Sequence, residues 1–410
     1  MLLHDTLRPA GLHIALLALF RTLPDKYQTL PGYVPPFGGE VLMGDWFRVS
    51  SMGIGMMEAI SPCMSGRSNE KTPCAAPLAP DKTKQLVFGC IDKGGIRHFD
   101  TAQEYKAPDF TNLKARNPLF AGKLTGEEQL GLALKGQWRE SYTVATKYSH
   151  GWPHYLEELE QGIDESRARL GMDYIDLFYL HRPITGLKDL NDLKTAMLTL
   201  KGAVEKGKIK HVGLSEVGTE WLRFANSIHP VAAIQMEWSL VSREIEAEIV
   251  PLCRELNIGI VAYAPLARLL LAVSEEELND EIAKTIAPAM GVIVPRFDAT
   301  NLPDNLALMR KVAAMAKEKG CTTAQLSLAW LYHKAAYLGV TVVAIPGTSH
   351  VEHAIENAKA LNVKLNDEEM VTLEKLGALS KGARGSESYM QITFETQQGN
   401  HTSSGYRKYG

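Results

Sequence analysis

The sequence predicts a (β/α)8 TIM barrel, an α/β fold of eight parallel strands, with insertions in its loops and an irregular N-terminal extension. Two observations support this prediction. Eight short apolar or β-rich runs alternate with helical stretches along the chain, which is typical of a parallel sheet. In addition, no Gly-rich turn of the Rossmann kind follows an early strand candidate, which favours a closed barrel over an open doubly wound sheet.

The length and composition are those of an ordinary globular protein. The chain has 410 residues, 45% of them hydrophobic and 22% charged, and α/β barrels longer than about 250 residues occur as one domain. Its 44 basic and 47 acidic residues are interspersed, which provides no broad basic surface for nucleic acid. Five widely spaced cysteines give neither a zinc pattern nor a complete disulfide framework, so we expect no metal and a reducing, cytoplasmic location.

The strand candidates follow one another in regular order. They are the runs VSSMGIGMM, RHFDTA, YTVATK, YIDLFYLH, IKHVGLS, AAIQME, IGIVAY and VTVVAIPGT. Between the third and fourth runs, apolar residues have helical spacing, and Gly171 is predicted to cap this helix at its C-terminus. A later helix is predicted to end in the same way at Gly320, and Thr322 with Gln325 forms a capping box for the next helix.

We predict three parts of the chain: an N-terminal extension of uncertain order at 1–48, the barrel at 49–380, and a weakly ordered C-terminal tail at 381–410. The extension contains an apolar run, 11–20, that is too short to span a bilayer. This run is either part of a targeting segment or a peripheral helix, and we expect no association with a membrane.

Three insertions are predicted to interrupt the barrel, near 60–80, 106–125 and 269–294. The first is rich in Ser, Pro and small residues and has little apolar periodicity, which predicts a loop or a disordered segment. The second directly follows Tyr105 and is either a lid over the substrate or an inert insertion.

Seven residues stand at or just beyond the carboxyl ends of successive strand candidates. They are Asp100, Lys147, His181, Ser215, Gln235, Tyr263 and Gly347. Barrel enzymes carry their chemistry on this face of the sheet. These residues are therefore predicted to surround one site.

Four side chains of this face are suited to the reduction of a carbonyl group. The reaction needs a hydride, which only a cofactor can supply, and a proton, which a side chain can supply. Tyr105 is a candidate acid, although an ordinary tyrosine has a pKa of about 10. A lysine ammonium lowers this pKa and a carboxylate holds the ammonium in place, roles that suit Lys147 and Asp100. His181 is available to hydrogen-bond the substrate oxygen.

Seven stretches closely resemble the signature motifs of the aldo-keto reductase family. They are FDTAQEY, VATK, YIDLFYLHRP, GLSEV, AAIQMEWSL, IVAYAPL and IPGTSHVEHAIEN, and the resemblance covers about 49–376. Within the family the chain looks most like the aldehyde and pyridoxal reductases of bacteria, fungi and plants. The resemblance implies NADP-dependent reduction of an aldehyde or ketone with Tyr105 as general acid, Lys147 and Asp100 as its tuning partners, and His181 orienting the carbonyl.

The resemblance also implies a binding site for NADPH. Tyr263 would stack on the nicotinamide, and Ser215 and Gln235 would hydrogen-bond its carboxamide. The remaining contacts would be Leu266 and Arg268 along the pyrophosphate, Gly347, Thr348, Ser349 and His350 at a phosphate-binding helix N-terminus, and Glu356 and Asn357 at the adenine. NADH is the alternative cofactor, because His350 stands where an arginine or lysine is frequent in the family.

The sequence departs from the family pattern near the site. Lys106 follows the catalytic tyrosine where glycine is usual, and Ala264 and Ala267 stand where serine and glycine are frequent. Trp152 and Trp238 follow strand candidates and either wall an apolar substrate pocket or have a structural role.

Two other functions fit parts of the pattern. One is a cofactor-binding regulatory or sensor barrel with little turnover, and the other is a barrel lyase or isomerase that uses His181 and Asp100 without a cofactor. The presence of all four catalytic positions favours the reductase. The sequence does not indicate which small carbonyl compound is the substrate, nor the oligomeric state.

Overall fold

The computed structural model describes residues 37–394, with gaps at 46, 58–77, 106–123, 150–154, 274–290 and 292–293. Its strands are β1 (Glu40–Met43), β2 (Phe47–Ser50), β3 (Gly53–Gly55), β4 (His98–Asp100), β5 (Thr143–Tyr148), β6 (Ile175–Leu180), β7 (Ile209–Ser215), β8 (Val231–Glu237), β9 (Gly259–Tyr263) and β10 (Val342–Ala344). Its helices are α1 (Pro80–Gly94), α2 (Gly126–Leu134), α3 (Leu159–Leu170), α4 (Leu190–Glu205), α5 (Thr219–Ile228), α6 (Ile249–Leu256), α7 (Leu302–Lys319), α8 (Thr323–Leu338), α9 (Val351–Ala358), α10 (Asp367–Gly377) and α11 (Glu387–Met390).

Strands β3 to β10 form one eight-stranded sheet in chain order, and every neighbouring pair is parallel. The two ends of this sheet meet, because Met52 and Gly55 make parallel bridges to Ala344 and Gly347. The sheet is therefore closed, and the prediction of a (β/α)8 barrel is confirmed. Every residue of β6 and β8 is buried, as expected for strands that face side chains inside the barrel and helices outside it.

The predicted helix ends are also confirmed. Helix α3 ends at Gly171 and α7 ends at Gly320, and both glycines have a left-handed backbone, with φ of 64° and 72°. The Thr322 hydroxyl accepts a hydrogen bond from the Gln325 backbone N–H, and the Gln325 side-chain oxygen accepts one from the Thr322 backbone N–H, so α8 begins with the expected capping box.

An antiparallel hairpin, β1 with β2, precedes the barrel. The sequence predicts an extension of uncertain order here and assigns Val49 to the first barrel strand, whereas the structure places Val49 in the hairpin. Phe47 is buried against His98, at the start of β4, and lies 4.5 Å from the ring of His211. Met43 lies so close to Gly259 that a Cβ there would be 2.5 Å from its Cγ. The hairpin therefore closes the amino end of the barrel.

The segment after α10 differs from the weakly ordered tail that the sequence predicts. In 381–394, Arg384, Thr393 and Phe394 are buried. The segment packs through a charged side chain and an aromatic one, which is why it shows no apolar periodicity in the sequence. The remainder of the predicted tail, 395–410, lies outside the described residues.

Several predictions fall on other parts of the chain that lie outside the described residues. These are the apolar run at 11–20, most of the three insertions, and Trp152. Within the ranges that are described, no helix is long and apolar enough to cross a membrane.

We expect Phe47→Ala to lower the free energy of unfolding by about 3–5 kcal/mol, because removing this buried ring leaves a cavity between the hairpin and the barrel. The measurement is chemical denaturation followed by circular dichroism. Leu198→Ala is the control, since Leu198 is 49% exposed and its truncation should change the free energy by less than about 0.5 kcal/mol. An equally small effect at Phe47 would contradict the role of the hairpin in closing the barrel.

Candidate active site

The four predicted catalytic residues meet at the carboxyl end of the barrel. Asp100 ends β4, Lys147 lies in β5, and Tyr105 and His181 follow β4 and β6. Lys147 Nζ lies 2.5 Å from Asp100 Oδ1, 2.7 Å from the Thr101 carbonyl oxygen and 3.5 Å from the Tyr105 hydroxyl. Because the lysine is fully buried, its ammonium group donates its hydrogen bonds to these three oxygens instead of to water.

Burial controls the acidity of Tyr105. It raises the pKa of the phenol above the ordinary value, although the positive charge of Lys147 acts in the opposite direction. The sequence predicts the lowering by the ammonium but not the larger opposing effect. For Lys147, burial lowers the pKa while Asp100 and Tyr105 raise it, and the net direction is upward, so the lysine keeps its proton.

His181 is held by polar groups on one side of its ring. Its Nδ1 lies 2.8 Å from the Ser149 hydroxyl and 3.1 Å from Glu104 Oε1. Burial lowers the pKa of His181 well below its usual value, and the positive charges of Arg182 and Lys147 add to this effect. The imidazole is therefore neutral at physiological pH, and its ring stands edge-on to that of Tyr105 with centroids 6.5 Å apart.

A cavity of about 1010 Å³ opens at this end of the barrel. Twelve of the predicted site residues line it: Asp100, Tyr105, His181, Ser215, Gln235, Tyr263, Leu266, Arg268, Gly347, Thr348, Glu356 and Asn357. Lys147 lies beneath Asp100 and Tyr105, outside the lining that the described residues form. Ser349 and His350 also lie outside that lining; their side chains are 3.1 Å apart, and His350 is the residue from which α9 starts.

Ser215 and Gln235 line the cavity and connect it to the cluster of predicted catalytic residues. The Gln235 side-chain amide donates to Asp100 Oδ2 at 2.8 Å, and the Ser215 hydroxyl donates to the Gln235 backbone carbonyl at 3.0 Å. The Asp100 carboxylate thus accepts hydrogen bonds from both the Lys147 ammonium and the Gln235 side-chain amide. Both oxygens of this buried carboxylate are satisfied, which fixes its orientation.

A buried charged network that the sequence analysis missed holds Tyr263 from behind. Its hydroxyl lies 2.7 Å from Glu216 Oε1, 2.9 Å from Arg384 Nη1 and 2.6 Å from the Tyr389 hydroxyl. Glu216 and Arg384 pair at 2.7 Å, with each side chain only 1% exposed. Glu216 follows Ser215 at the end of a buried strand, and a buried carboxylate there requires a cation. Nothing in the sequence indicates that this cation is Arg384.

The turn after β9 contains left-handed backbone at Ala264, Ala267, Arg268 and Leu269, with φ of 44°, 48°, 53° and 83°. This conformation is unfavourable for residues with a Cβ atom. A glycine at position 267, which the resemblance leads us to expect, would adopt this conformation at a lower energetic cost than Ala267. The Arg268 side chain reaches Glu237 Oε2 at 3.5 Å, which anchors the turn at the cavity.

Trp238 does not form the wall of the substrate pocket that is one of its two predicted roles. Trp238 is fully buried, and its indole donates to Glu246 Oε1 at 3.1 Å, so it packs in the core and does not line the cavity formed by the described residues. Of the two predicted roles for Trp238, a pocket wall or a structural role, the structure supports the structural one. Trp152 lies outside the described residues.

The fold and the cavity together define a (β/α)8-barrel protein whose site lies at the carboxyl ends of its strands. Comparison with known families goes further, since a family model described as "Aldo/keto reductase family" matches residues 66–378. The chain belongs to the aldo/keto reductase family.

Solved structures agree on the fold. A thermostable aldo-keto reductase in complex with the inhibitor epalrestat is 24% identical and has a TM-score of 0.57, covering 82% of this chain and 99% of that one. An aldo/keto reductase from Klebsiella pneumoniae in complex with NADP and acetate is 23% identical and has a TM-score of 0.55; the match covers 82% of this chain and 93% of that one. An aldo-keto reductase from Klebsiella pneumoniae in complex with NADPH is 22% identical and has a TM-score of 0.56; the match covers 84% of this chain and 95% of that one.

We expect Arg384→Met to destabilise the fold by about 3–5 kcal/mol, because it leaves the buried carboxylate of Glu216 without its cation. The measurement is the free energy of unfolding by denaturant titration. The double variant Arg384→Met with Glu216→Gln removes the unpaired charge and should be more stable than Arg384→Met alone.

Arg223→Met is the control for this prediction, because Arg223 pairs with Glu255 on the exposed surface and its loss should matter little. A double variant no more stable than Arg384→Met alone would contradict the pairing that we describe.

Proposed function

We propose that this protein is an NADP-dependent oxidoreductase that reduces an aldehyde or ketone to an alcohol, with Tyr105 as the general acid. The observation that carries the proposal is the Tyr105 hydroxyl at the cavity wall, 3.5 Å from a Lys147 ammonium that is paired with Asp100. Membership of the aldo/keto reductase family supports it. The Klebsiella pneumoniae relatives in complex with NADP and NADPH support the choice of cofactor.

The chemistry of the cavity lining fits a nicotinamide dinucleotide. An aromatic ring, Tyr263, lies near the catalytic cluster, and the cationic Arg268 and the hydroxyl of Thr348 lie along the same cavity. Glu356 and Asn357 line it as well and provide polar groups for a purine. Such a site combines an aromatic surface, a positive charge for phosphate and hydrogen-bonding groups for the base.

In this proposal each group holds one part of NADPH. Tyr263 stacks on the nicotinamide, Ser215 and Gln235 hold its carboxamide, and Leu266 and Arg268 lie along the pyrophosphate. The loop before α9 takes a phosphate with Gly347, Thr348, Ser349 and His350, where the free amides of a helix start favour an anion. Glu356 and Asn357 contact the adenine. The bound cofactor supplies the hydride.

The side chains of the catalytic cluster supply the proton and position the carbonyl. Tyr105 donates its phenolic proton to the carbonyl oxygen as negative charge develops there. Lys147 stabilises the phenolate that results, and Asp100 keeps the ammonium in place. Neutral His181 donates from Nε2 to the same carbonyl oxygen, which requires Nδ1 to accept the Ser149 hydroxyl proton. In this tautomer Nδ1 makes no hydrogen bond to Glu104, although Glu104 Oε1 lies 3.1 Å away.

We expect Tyr105→Phe to reduce kcat/KM for carbonyl reduction by about 100- to 10,000-fold, because the variant lacks the general acid. Turnover is followed by loss of reduced-cofactor absorbance, with NADPH and NADH in parallel and a panel of aldehydes, quinones and pyridoxal. The Kd for NADPH, measured by fluorescence quenching, should stay unchanged.

Tyr337→Phe is the matched control, since Tyr337 is 77% exposed and should be silent. Cofactor binding without turnover in the wild type would favour a regulatory barrel over the reductase. A failure to bind either cofactor would favour a cofactor-independent activity.

The pH dependence of reduction follows from the raised pKa of Tyr105. The acid must be protonated, so kcat/KM should be level from about pH 6 to about pH 9 and should decline only above about pH 10. His181 should add no step near its usual pKa, because burial keeps it neutral throughout this range. Initial rates at constant ionic strength test this, and a decline centred near neutral pH would contradict it.

A further inference from the structure

Arg182 directly follows His181 and lines the same cavity. Its Nη2 lies 3.4 Å from the Tyr389 hydroxyl, and its guanidinium lies 5.0 Å from the centre of that ring. Its Nε is buried and has no hydrogen-bond partner among the described residues. Burial of a guanidinium N–H without an acceptor is costly, so the described residues leave this arginine incompletely hydrogen-bonded.

Three other arginines, one of them in the cavity lining, each lie within 4.0 Å of a carboxylate. Arg384 lies 2.7 Å from Glu216, Arg268 lies 3.5 Å from Glu237, and Arg296 lies 3.8 Å from Glu237. Arg182 differs from them, because within the described ranges no carboxylate oxygen lies within 4.0 Å of its nitrogens. The carboxylates of Glu216 and Glu104 act on the Arg182 charge at longer range, but neither is in direct contact with the guanidinium.

The geometry of a guanidinium selects the kind of ligand. Its planar fork matches a carboxylate, which can accept two parallel hydrogen bonds from it. A carboxylate carries a single negative charge, which one guanidinium can pair with, whereas a phosphate dianion would need a second cation. A carboxylate is also small enough to share the cavity with the carbonyl group that Tyr105 and His181 receive.

We propose that the substrate is an oxo acid, a compound that carries a carboxylate as well as the aldehyde or ketone, and that Arg182 binds this carboxylate. The inference rests on the proposed reductase function. The carbonyl carbon accepts the hydride and the carbonyl oxygen accepts the Tyr105 proton, giving the hydroxy acid and the oxidised cofactor. The carboxylate is unchanged, so Arg182 is a specificity-determining residue and has no part in the chemical step.

The test compares a charged carbonyl compound with its neutral ester. The wild type is assayed with NADPH on 4-carboxybenzaldehyde against methyl 4-formylbenzoate, and on 4-oxobutanoate against its methyl ester. We expect kcat/KM to favour at least one acid over its ester by about 10- to 100-fold, the size expected for a charge-assisted hydrogen bond. Arg182→Met should abolish this preference, and Arg182→Lys, which keeps the charge but not the fork, should keep part of it.

Arg223→Met, on the exposed surface, is the control and should leave the ratio of acid to ester unchanged. Equal rates for acid and ester in the wild type, or a preference that survives Arg182→Met in a folded protein, would overturn the proposal. Thermal unfolding checks that both Arg182 variants fold.

Binding separates this proposal from the reductase function itself. Isothermal calorimetry measures the Kd of 4-carboxybenzaldehyde and 4-oxobutanoate for the protein with NADP, where no reduction occurs. Binding weakened about 10-fold or more by Arg182→Met would support the carboxylate site even if no carbonyl compound were reduced, whereas binding unaffected by the substitution would reject it. Absence of turnover with every compound would count against the reductase function alone.

Discussion

The buried pair of Lys147 and Asp100 is the interaction on which the active site depends. An ammonium that is fully buried inside the barrel is stable only if oxygen atoms surround it, and Asp100, Thr101 and Tyr105 provide them. The parallel register brings this about, because β4 and β5 are neighbours and both end at the same rim. The pair places the Tyr105 hydroxyl at the cavity, and through Asp100 it also orients Gln235.

A second set of charges supports the opposite wall. Glu216 lies at the end of β7 with a left-handed backbone, and its partner Arg384 arrives from the segment that follows α10. Together they fix the hydroxyl of Tyr263, whose ring faces the cavity, while Tyr389 from the same segment packs against Arg182. The last described part of the chain thereby joins the proposed cofactor wall to the proposed carboxylate-binding arginine.

The sequence was sufficient to predict the barrel and to predict that the four proposed catalytic residues lie at one rim, because strand order and polar residues at strand ends are local features. The sequence does not predict the hairpin at 40–50, since strands of only four residues are too short for a period to stand out and the hairpin is stabilised by contacts with the barrel. The burial of Arg384 depends on Glu216, 168 positions away, and no local pattern reports such a pairing. The raised pKa of Tyr105 also could not be predicted from the sequence, because it results from burial in the folded protein and not from the residue type.

The central claim is that a hydride moves from NADPH to a carbonyl carbon in this cavity. The most direct measurement uses NADPH deuterated at C4 of the nicotinamide and an aldehyde that the protein turns over, with mass spectrometry of the alcohol. We expect one deuterium on the former carbonyl carbon for each NADPH consumed when the transferred position carries the label. Alcohol without deuterium from NADPH labelled at both C4 positions, or no alcohol from any carbonyl compound, would contradict it.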